Sequence, residues 1–334
     1  MQMWRDSRIM VTGASGFFGR WLVETFHHAN QVLGLGAQLV GIGSPTSDFK
    51  RECPQLLGLE DVVLIKADIC HLEAEIHAQL PEWCDRIDAV IHAAIYVDAR
   101  YYDQQPLPTL ETAVKGTWET LELTRKAHVK RFLFISSGAV YGTQPCMLDR
   151  IAEDHSIHLN CAIHSSAYAE GKRLGETLCA AYLRQYGLPV TIARPFAFVG
   201  PHLPIDRHFA IGNFLRDALG SGPIVLQSDG SPLRSYLYAA DLAVWLWTIL
   251  AQGTLGQPYN VGSEHATSLL DVANLISRVS PHHNAIDIQG TSVIGPPPRY
   301  IPDTSRARQE LGLGQTIDLQ EGIRRTFAWH RQML

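Results

Sequence analysis

Short apolar runs alternate with longer amphipathic stretches through the first half of the chain. The runs are short, rich in β-branched or aromatic side chains and bounded by turn residues, and this pattern predicts strands. These predicted strands span 8–13, 37–43, 62–68, 88–94, 130–137 and 188–195. The stretches 18–30, 107–127 and 167–186 between them are predicted as helices. Because the runs are apolar throughout, we expect strands buried on both faces of an α/β fold, a Rossmann-type doubly wound parallel sheet.

The pattern changes near residue 197, where glycine and proline become frequent and isolated short strands alternate with helices. Helices are predicted there at 208–220 and 239–252. We therefore predict a doubly wound domain over residues 1–196. The remainder, 197–334, is predicted to form mainly a smaller α/β lobe, with crossovers of the chain back to the first domain.

Composition excludes several classes of protein. The chain has 334 residues, 46% hydrophobic and 18% charged, which allows a sizeable core. A net charge of -5 without a long run of one sign argues against a nucleic-acid or membrane-surface partner. The six cysteines form no C-x-x-C pair, so we expect neither a disulfide framework nor a metal site. A strand pattern begins almost at once, without a signal peptide or a membrane-spanning run, so we expect a cytoplasmic protein.

Three glycines, Gly13, Gly16 and Gly19, follow the first predicted strand and open a helix. Glycines at such a junction allow a tight turn and close backbone approach, while the helix N-terminus offers free amide groups to phosphate. Glycines also serve turns and helix–strand packing. Their position at the start of a β-α-β pattern favours a site for the pyrophosphate of a dinucleotide.

Tyr168 and Lys172 lie four positions apart in a predicted helix and therefore share one face. An ammonium group beside a phenol favours the phenolate and lowers the phenol pKa, which tunes it for acid–base work. The same pair also occurs by chance in amphipathic helices, with the ring half buried and the lysine in water. The pair alone leaves both interpretations open.

The order and spacing of motifs along the chain is more specific. The motifs are T-G-x-x-G-x-x-G from Thr12 to Gly19, KADI, VIHAA, FLFISSGAVYG, the Tyr168–Lys172 pair, ARPFAFVGP, LRSYLYAADLA, YNVGS and RYIPDTSRARQELG. Through nearly its whole length the chain resembles the extended short-chain dehydrogenase/reductase superfamily, in its NAD-dependent epimerase/dehydratase family. This group contains nucleotide-sugar epimerases, dehydratases and 4-ketoreductases.

The resemblance implies a catalytic group of Ser137, Tyr168 and Lys172. Ser137 is expected to hydrogen-bond the substrate oxygen while Tyr168 exchanges the proton. Lys172 is expected to lower the pKa of the tyrosine and to hold the nicotinamide ribose. Local backbone hydrogen bonds or packing are expected for three neighbouring polar residues, Ser136, Ser165 and His92.

The resemblance also implies an NAD(P)-binding first domain, with NADP slightly preferred over NAD. The expected cofactor contacts are Gly13, Ser15, Gly16, Phe17, Phe18, Gly19, Arg20, Ser44, Asp68, Ile69, Ala93, Ala94, Tyr168, Lys172 and Pro195. The second strand ends at Gly43, where NAD-preferring relatives carry an acid that binds the ribose and repels a 2'-phosphate. Hydroxyl and basic residues lie nearby at Arg20, Ser44, Ser47, Lys50 and Arg51. No arginine stands directly at the strand end.

The expected substrate is a nucleotide-diphosphate sugar. The resemblance implies that Arg234 and Arg299 clamp its diphosphate, since a guanidinium fork suits phosphate oxygens, although either could be a surface arginine. The family often has asparagine where this chain has Lys115 and Ala197, so one usual polar contact to the nucleotide is missing. Homodimerisation through helices 107–127 and 167–186 is expected from the resemblance.

The residues after Ser137 narrow the choice among the reactions of this family. Dehydratases and decarboxylases of this family carry an acid there, whereas this chain has Gly138 and Ala139. Stretch 205–219 resembles the substrate loop of enzymes acting on nucleotide-linked 4-keto-6-deoxy sugars in surface-polysaccharide synthesis. We therefore expect an NAD(P)H-dependent 4-ketoreductase. The alternatives are an NAD-dependent 4-epimerase and a non-catalytic dinucleotide-binding protein.

Overall fold

The computed structural model describes residues 4–84, 86–95, 105–156, 160–206, 209–292 and 295–333. The strands are β1 Arg8–Thr12, β2 Gln38–Gly43, β3 Val62–Lys66, β4 Ala89–His92, β5 Arg131–Ile135, β6 Val190–Pro195, β7 Phe198–Val199, β8 Ile224–Leu226, β9 Leu233–Arg234, β10 Leu237–Tyr238, β11 Pro258–Val261, β12 Thr267–Ser268, β13 Ile286–Ile288 and β14 Arg299–Tyr300. The helices are α1 Phe17–Leu33, α2 Phe49–Glu52, α3 Leu72–Gln79, α4 Pro81–Cys84, α5 Pro106–Glu111, α6 Thr117–Lys126, α7 Ala167–Tyr186, α8 Ala210–Leu219, α9 Ala239–Gln252, α10 Leu269–Val279, α11 Ser305–Leu311 and α12 Leu319–Gln332.

The central sheet has seven strands in the order β11-β6-β5-β4-β1-β2-β3. Every neighbouring pair in it is parallel. The predicted doubly wound Rossmann-type sheet is thus confirmed. The chain reverses its winding direction between β1 and β4, and in such sheets the carboxyl ends at this point open a ligand crevice.

Both faces of the sheet are covered, which explains why its strands are apolar throughout. Along β1, Ile9 and Val11 pack into one core with residues of α1 and α9, including Phe26 and Trp245. The intervening Met10 packs into the opposite core with α3, α6 and α7. Alternate side chains of each strand therefore pack into two hydrophobic layers, one on each face of the sheet.

Helix α7 lies close to β5 because its packing face is made of small residues. A Cβ on Gly175 would lie 2.4 Å from Cζ of Phe134, so only glycine admits this approach. The helix ends at Gly187, whose φ of 68° gives a left-handed C-cap. This packing holds the first turns of α7 over the carboxyl end of β5.

One predicted helix is interrupted. Stretch 107–127 forms α5 and α6, joined by a π-helical turn over Thr112–Gly116. Threonine hydroxyls bond the carbonyl four residues back on both sides of this turn, as Thr112 does to Pro108 and Thr117 to Ala113. Predicted helix 208–220 is observed as α8, although residue 208 lies outside the described residues.

Helices α8, α10 and α12 share a further hydrophobic core, and short two- and three-stranded sheets occur in the same half of the chain. Strand β11, which follows α9, returns to the edge of the central sheet beside β6. Within the described ranges, no helix combines the length and apolar character needed to cross a bilayer.

Candidate active site

The turn after β1 fits a dinucleotide pyrophosphate. Gly13 adopts a φ of 76°, and a Cβ there would lie 2.9 Å from the main chain of Ala93 and Ala94. A Cβ on Gly19 would lie 2.2 Å from the Gly13 carbonyl oxygen, so helix α1 packs directly on the turn. Gly16 is the N-cap residue and carries no side chain over the first amides of α1. These three glycines form a glycine cradle, in which a side chain on Gly13 or Gly19 would collide with neighbouring main chain.

The side chains that follow these glycines either pack into the protein interior or contact the turn. The rings of Phe17 and Phe18 pack inward, with Phe18 edge-on to Phe198 at 5.2 Å. Any contact of Phe17 and Phe18 with the cofactor is therefore expected through their main-chain amides at the start of α1. Arg20 folds back, and its Nε donates to the Ser15 carbonyl at 2.8 Å, which stiffens the turn.

Asp68 follows β3 and is held in a defined orientation. Its carboxylate accepts from the Cys70 amide at 2.9 Å and bonds His71 Nδ1 at 2.9 Å, while Lys115 Nζ lies 3.1 Å from His71 Nε2. Burial raises the pKa of Asp68, but these hydrogen bonds outweigh it and the net shift is downward. Asp68 is thus an ionised acceptor, and its contact with adenine, like that of Ile69, stays a prediction.

Gly43 cannot be replaced by an acid without rearrangement. A Cβ there would lie 2.6 Å from Cζ of Phe49 and 3.0 Å from Oγ of Ser47. Hydroxyl groups occupy this end of β2 instead, since Ser47 Oγ lies 2.8 Å from Ser15 Oγ and 3.1 Å from Ser44 Oγ. The nearby Lys50 and Arg51 are exposed.

Ser137 follows β5 and is almost buried, with 8% of its surface exposed. Its Oγ accepts a hydrogen bond from the Ala139 amide at 3.1 Å, which caps the 3₁₀ turn Gly138–Tyr141. The hydroxyl proton thereby stays available for donation. Ser137 acts on the Tyr168 phenol and opposes the rise in its pKa that burial causes, so the structure brings these two predicted catalytic residues together.

Lys172 shares the helix face of Tyr168 but differs from expectation. Its Nζ donates to the Ile135 carbonyl at 2.6 Å and lies 5.1 Å from the ring centre of Phe134. Burial lowers the pKa of Lys172 to about 7. Burial raises the pKa of Tyr168, with Ser137 opposing it. The expectation that Lys172 lowers the tyrosine pKa is therefore wrong for this arrangement, because the ammonium is directed at the main chain of β5.

Two neighbouring polar residues have structural partners. His92 is buried between threonine hydroxyls, with Nδ1 2.9 Å from Thr12 Oγ1 and Nε2 3.2 Å from Thr117 Oγ1. Burial lowers its pKa to about 3, so it stays neutral, which confirms the packed-histidine interpretation. Ser136 donates to Glu176 Oε1 at 2.5 Å, a carboxylate rather than the expected backbone group.

Gly138 stands where the family's dehydratases are expected to carry an acid, and the space beside it is filled. A Cβ on Gly138 would lie 2.4 Å from the Tyr300 hydroxyl and 2.9 Å from the Phe196 ring. Ser137 also acts on the Tyr300 phenol, where it opposes the rise in pKa that burial causes. No side chain larger than hydrogen fits at this position while Tyr300 keeps its place.

The two predicted phosphate ligands do not share a face. Strands β9 and β14 pair in parallel with Tyr300 opposite Arg234, and neighbouring residues of a strand point to opposite faces. Arg299 instead forms an ion pair with Asp149. Binding of the diphosphate by Arg234 and Arg299 stays a prediction.

Two features were not predicted from the sequence. They are the position of Tyr300 beside Gly138 and a buried ionic network that includes Glu176. Arg194 donates through Nε and Nη2 to both oxygens of Glu176, at 2.9 and 2.6 Å. Its Nη1 donates to the Tyr141 hydroxyl at 2.8 Å and to the Glu153 carbonyl at 2.9 Å. The only sequence signal for Tyr300 was its place beside a predicted phosphate ligand. The remaining predicted contacts, Ala93, Ala94 and Pro195, lie at the carboxyl ends of β4 and β6.

The chain is similar to known proteins along nearly its whole length. UDP-glucuronic acid decarboxylase 1 of Arabidopsis thaliana is 29% identical over 318 residues, which is 95% of this chain and 68% of that protein. The Xenopus tropicalis protein of the same name is 27% identical and covers 98% of this chain and 73% of its own length.

Solved structures share the fold. UDP-glucose 4-epimerase from Thermotoga maritima superposes with a TM-score of 0.82 at 20% identity, covering 98% of this chain and 99% of that one. UDP-glucuronic acid 4-epimerase from Bacillus cereus, solved in complex with NAD, superposes with a TM-score of 0.80 at 24% identity, covering 98% and 99%. The model of the NAD dependent epimerase/dehydratase family matches residues 9–262. Together with the glycine cradle and the Ser137–Tyr168 pair, this match shows that the chain belongs to the NAD dependent epimerase/dehydratase family.

Proposed function

We propose that the protein is a nucleotide-sugar oxidoreductase that reduces the 4-keto group of a nucleotide-linked 4-keto-6-deoxy sugar, in the synthesis of surface-polysaccharide sugars. The observation that carries this proposal is the pair of hydroxyls on Ser137 and Tyr168 next to Gly138, a position without a carboxylate. The family's dehydratases and decarboxylases are expected to carry an acid just after the catalytic hydroxyl, where this chain has Gly138 and Ala139. Reduction of a ketone needs only a proton donor and a hydrogen bond to the oxygen.

The residues of the chain have defined roles in this reaction. When bound, the nicotinamide cofactor supplies the hydride. Tyr168, kept protonated by burial, donates its proton to the sugar oxygen as that oxygen gains charge. Ser137 donates its free hydroxyl proton to the same oxygen, because its own oxygen already accepts from the Ala139 amide. Arg234 is the candidate ligand of the diphosphate.

A 4-epimerase is the second candidate, and the similarity to known proteins favours it. Two of the solved structures that share this fold are 4-epimerases of UDP-sugars, and one of them holds NAD. An epimerase uses the same hydroxyl pair, but it must first remove a proton from the sugar. Gly138 and Ala139 fit both reactions, and reduction remains the first proposal because stretch 205–219 resembles the substrate loop of enzymes acting on 4-keto-6-deoxy sugars.

The absorbance of the nicotinamide cofactor distinguishes the reductase from the epimerase. Purified protein is first examined for retained cofactor and then mixed with NADPH or NADH and a panel of nucleotide-linked 4-keto-6-deoxy sugars. Stoichiometric cofactor oxidation that depends on the keto sugar is the expected result. Retained NAD, no net oxidation and a change of configuration in UDP-glucose or UDP-glucuronic acid would instead establish the epimerase.

We also propose that the cofactor is NADP rather than NAD. The steric block at Gly43 and the hydroxyl cluster of Ser15, Ser44 and Ser47 support this preference, since hydroxyls can donate to a 2'-phosphate and no acid repels it.

Placing a negative charge in the hydroxyl cluster should reverse this cofactor preference. We expect Ser44→Asp to weaken NADPH binding by roughly tenfold or more, because a carboxylate repels the phosphate, with NADH affinity kept or improved. Ser44→Asn is the uncharged control of similar shape and should change the ratio far less. Dissociation constants from nicotinamide fluorescence titration measure both, and wild-type protein that prefers NADH would contradict the proposal.

A homodimer through α5–α7 is likewise proposed. Large apolar side chains are exposed on these helices at Leu107, Trp118 and Leu174, with exposed fractions of 73%, 50% and 42%. Burying them against a second copy would remove this apolar surface from water. Sedimentation equilibrium should give twice the chain mass of 37.1 kDa, and a monomer at micromolar concentration would contradict the proposal.

A further inference from the structure

One carboxylate of α7 is bonded to the residue that precedes the proposed catalytic serine. Glu176 lies one turn beyond Lys172 and two turns beyond Tyr168, so the three side chains lie along one side of the helix. The Ser136 hydroxyl donates to Glu176 Oε1 at 2.5 Å, and Ser136 is only 2% exposed. Because Ser136 directly precedes Ser137, this bond joins the helix of Tyr168 to the strand end that leads into the serine.

The partner of Glu176 holds the chain on the other side of the serine. Arg194 donates to both oxygens of the Glu176 carboxylate, and its Nη1 donates to the Tyr141 hydroxyl at 2.8 Å. Tyr141 is buried and ends the 3₁₀ turn that Ser137 caps. Ser136 and Tyr141 therefore flank Ser137 and are both bonded to a single ion pair.

The Tyr141 hydroxyl is fixed from two directions. While it accepts from Arg194, it donates its own proton to Asn260 Oδ1 at 2.8 Å. Asn260 is fully buried, and its Nδ2 donates to the carbonyls of Ile151 and Asp303 at 2.8 and 2.9 Å. A buried network whose members are hydrogen-bonded in this way is rigid. The ion pair is thus part of a fixed frame around the end of β5.

Ser137 and Tyr168 reach the site from a strand end and from the first turn of a helix. Two groups that act on one reacting oxygen must keep hydrogen-bonding distance to it, and a displacement of about 1 Å can cost about a hundredfold in rate. Lys172 already bonds the Ile135 carbonyl and forms one link between α7 and β5. The Glu176 link lies one turn further along. Two links along the helix fix both its position and its direction relative to β5.

We propose that the Glu176–Arg194 ion pair positions the two catalytic hydroxyls relative to each other, by holding the chain on both sides of Ser137. This inference rests on the proposed function, because it concerns the same pair of hydroxyls. Glu176 and Arg194 are thus positioning residues, which act through Ser136 and Tyr141 and not on the substrate.

Removing the Ser136 hydroxyl tests the link to the helix. We expect Ser136→Ala to lower kcat by roughly tenfold, the value of one hydrogen bond to a charged group, with KM and cofactor affinity within about twofold of wild type. Ser280→Ala is the matched control, because it removes a similarly buried hydroxyl that donates to the Ala218 carbonyl, and it should leave kcat unchanged. In a Ser137→Ala background, Ser136→Ala should cost nothing further. An equal loss in both backgrounds, or wild-type kcat in Ser136→Ala, would overturn the proposal.

The ion pair itself is tested by separating turnover from stability. Adding Glu176→Gln to Arg194→Met removes the unpaired buried charge and should recover part of the stability. The double variant still leaves Tyr141 without its guanidinium donor. We therefore expect its kcat to stay at least roughly tenfold below wild type at a temperature where circular dichroism shows the protein folded. Recovery of kcat in step with stability would reduce the pair to a structural role and overturn the proposal.

The placement of Tyr168 can also be measured without turnover. In protein labelled with ¹³C at the tyrosine ζ carbon, the Tyr168 resonance is identified by its loss in Tyr168→Phe. We expect Ser136→Ala to shift this resonance in the same direction as Ser137→Ala, because Ser137 acts on the phenol, and Ser280→Ala to leave it in place. A Tyr168 resonance that Ser136→Ala does not move would overturn the proposal. If wild-type protein turns over no nucleotide sugar, the proposed function fails, while this measurement still decides the positioning role.

Discussion

Replacing Tyr168 with phenylalanine should lower turnover by about two to four orders of magnitude, the usual contribution of a positioned acid or base. Burial raises the pKa of the phenol, with Ser137 opposing it, and the phenol is protonated at neutral pH. Phenylalanine keeps the ring and its packing but has no proton to give to the nascent alkoxide. Single-turnover oxidation of NADPH in the presence of the 4-keto sugar measures the loss.

Cofactor binding separates this effect from misfolding. The glycine cradle and the hydroxyl cluster at β2 do not involve the Tyr168 hydroxyl, so cofactor affinity in the variant should stay within about threefold of wild type. Tyr182→Phe is the matched control on the same helix, since it removes a phenol that donates to Glu122 away from the site. Near wild-type turnover in Tyr168→Phe would remove Tyr168 from the mechanism.

Replacing Arg194 with methionine should destabilise the protein by about 3 kcal/mol or more, because it leaves a largely buried carboxylate without its partner. Arg194 and Glu176 are only 13% and 14% exposed, and their bidentate pair links β6 to α7. Burial lowers the pKa of Arg194, but Glu176 and Tyr141 outweigh it, and the net shift is upward. Urea unfolding followed by circular dichroism measures the change.

A surface pair of the same geometry provides the control. Arg324 also donates to both oxygens of a carboxylate, Glu321, but its side chain is 60% exposed. Arg324→Met should leave the midpoint of unfolding unchanged within error, because water replaces the lost contacts. Adding Glu176→Gln to Arg194→Met should recover part of the loss, since the unpaired charge is then gone. Equal effects of the two arginine substitutions would contradict the structural role of the network.

The local parts of the site could be predicted from the sequence, because they depend on residues close together in the chain. The glycines after β1 and the four-residue spacing of Tyr168 and Lys172 both act within one turn or one helix. The sheet was predictable for a similar reason, as continuous apolar runs indicate strands covered on both faces. The structure confirms the sheet and places Tyr168 and Lys172 on one helix, while the functional roles of these residues stay predictions.

The features of the site that were not predicted depend on contacts between segments that are distant in the sequence. Lys172 is directed to the Ile135 carbonyl by the close approach of α7 to β5, which spacing within the helix does not reveal. Arg299 forms an ion pair with Asp149, which lies far from it in the sequence. Tyr300 meets Gly138 because β14 is bound to the segment after β5, where the Ile301 amide donates to Gln144 Oε1 at 2.9 Å. Sequence patterns carry no information about such tertiary placement.

The contact between Gly138 and Tyr300 also constrains how this chain can acquire a new reaction. An acid at position 138 is incompatible with the tyrosine, so its replacement must come before the acid or together with it. A mutant library that varies position 138 alone should therefore yield only damaged proteins. Varying positions 138 and 300 together opens a path toward elimination chemistry, since each substitution becomes acceptable only in the presence of the other.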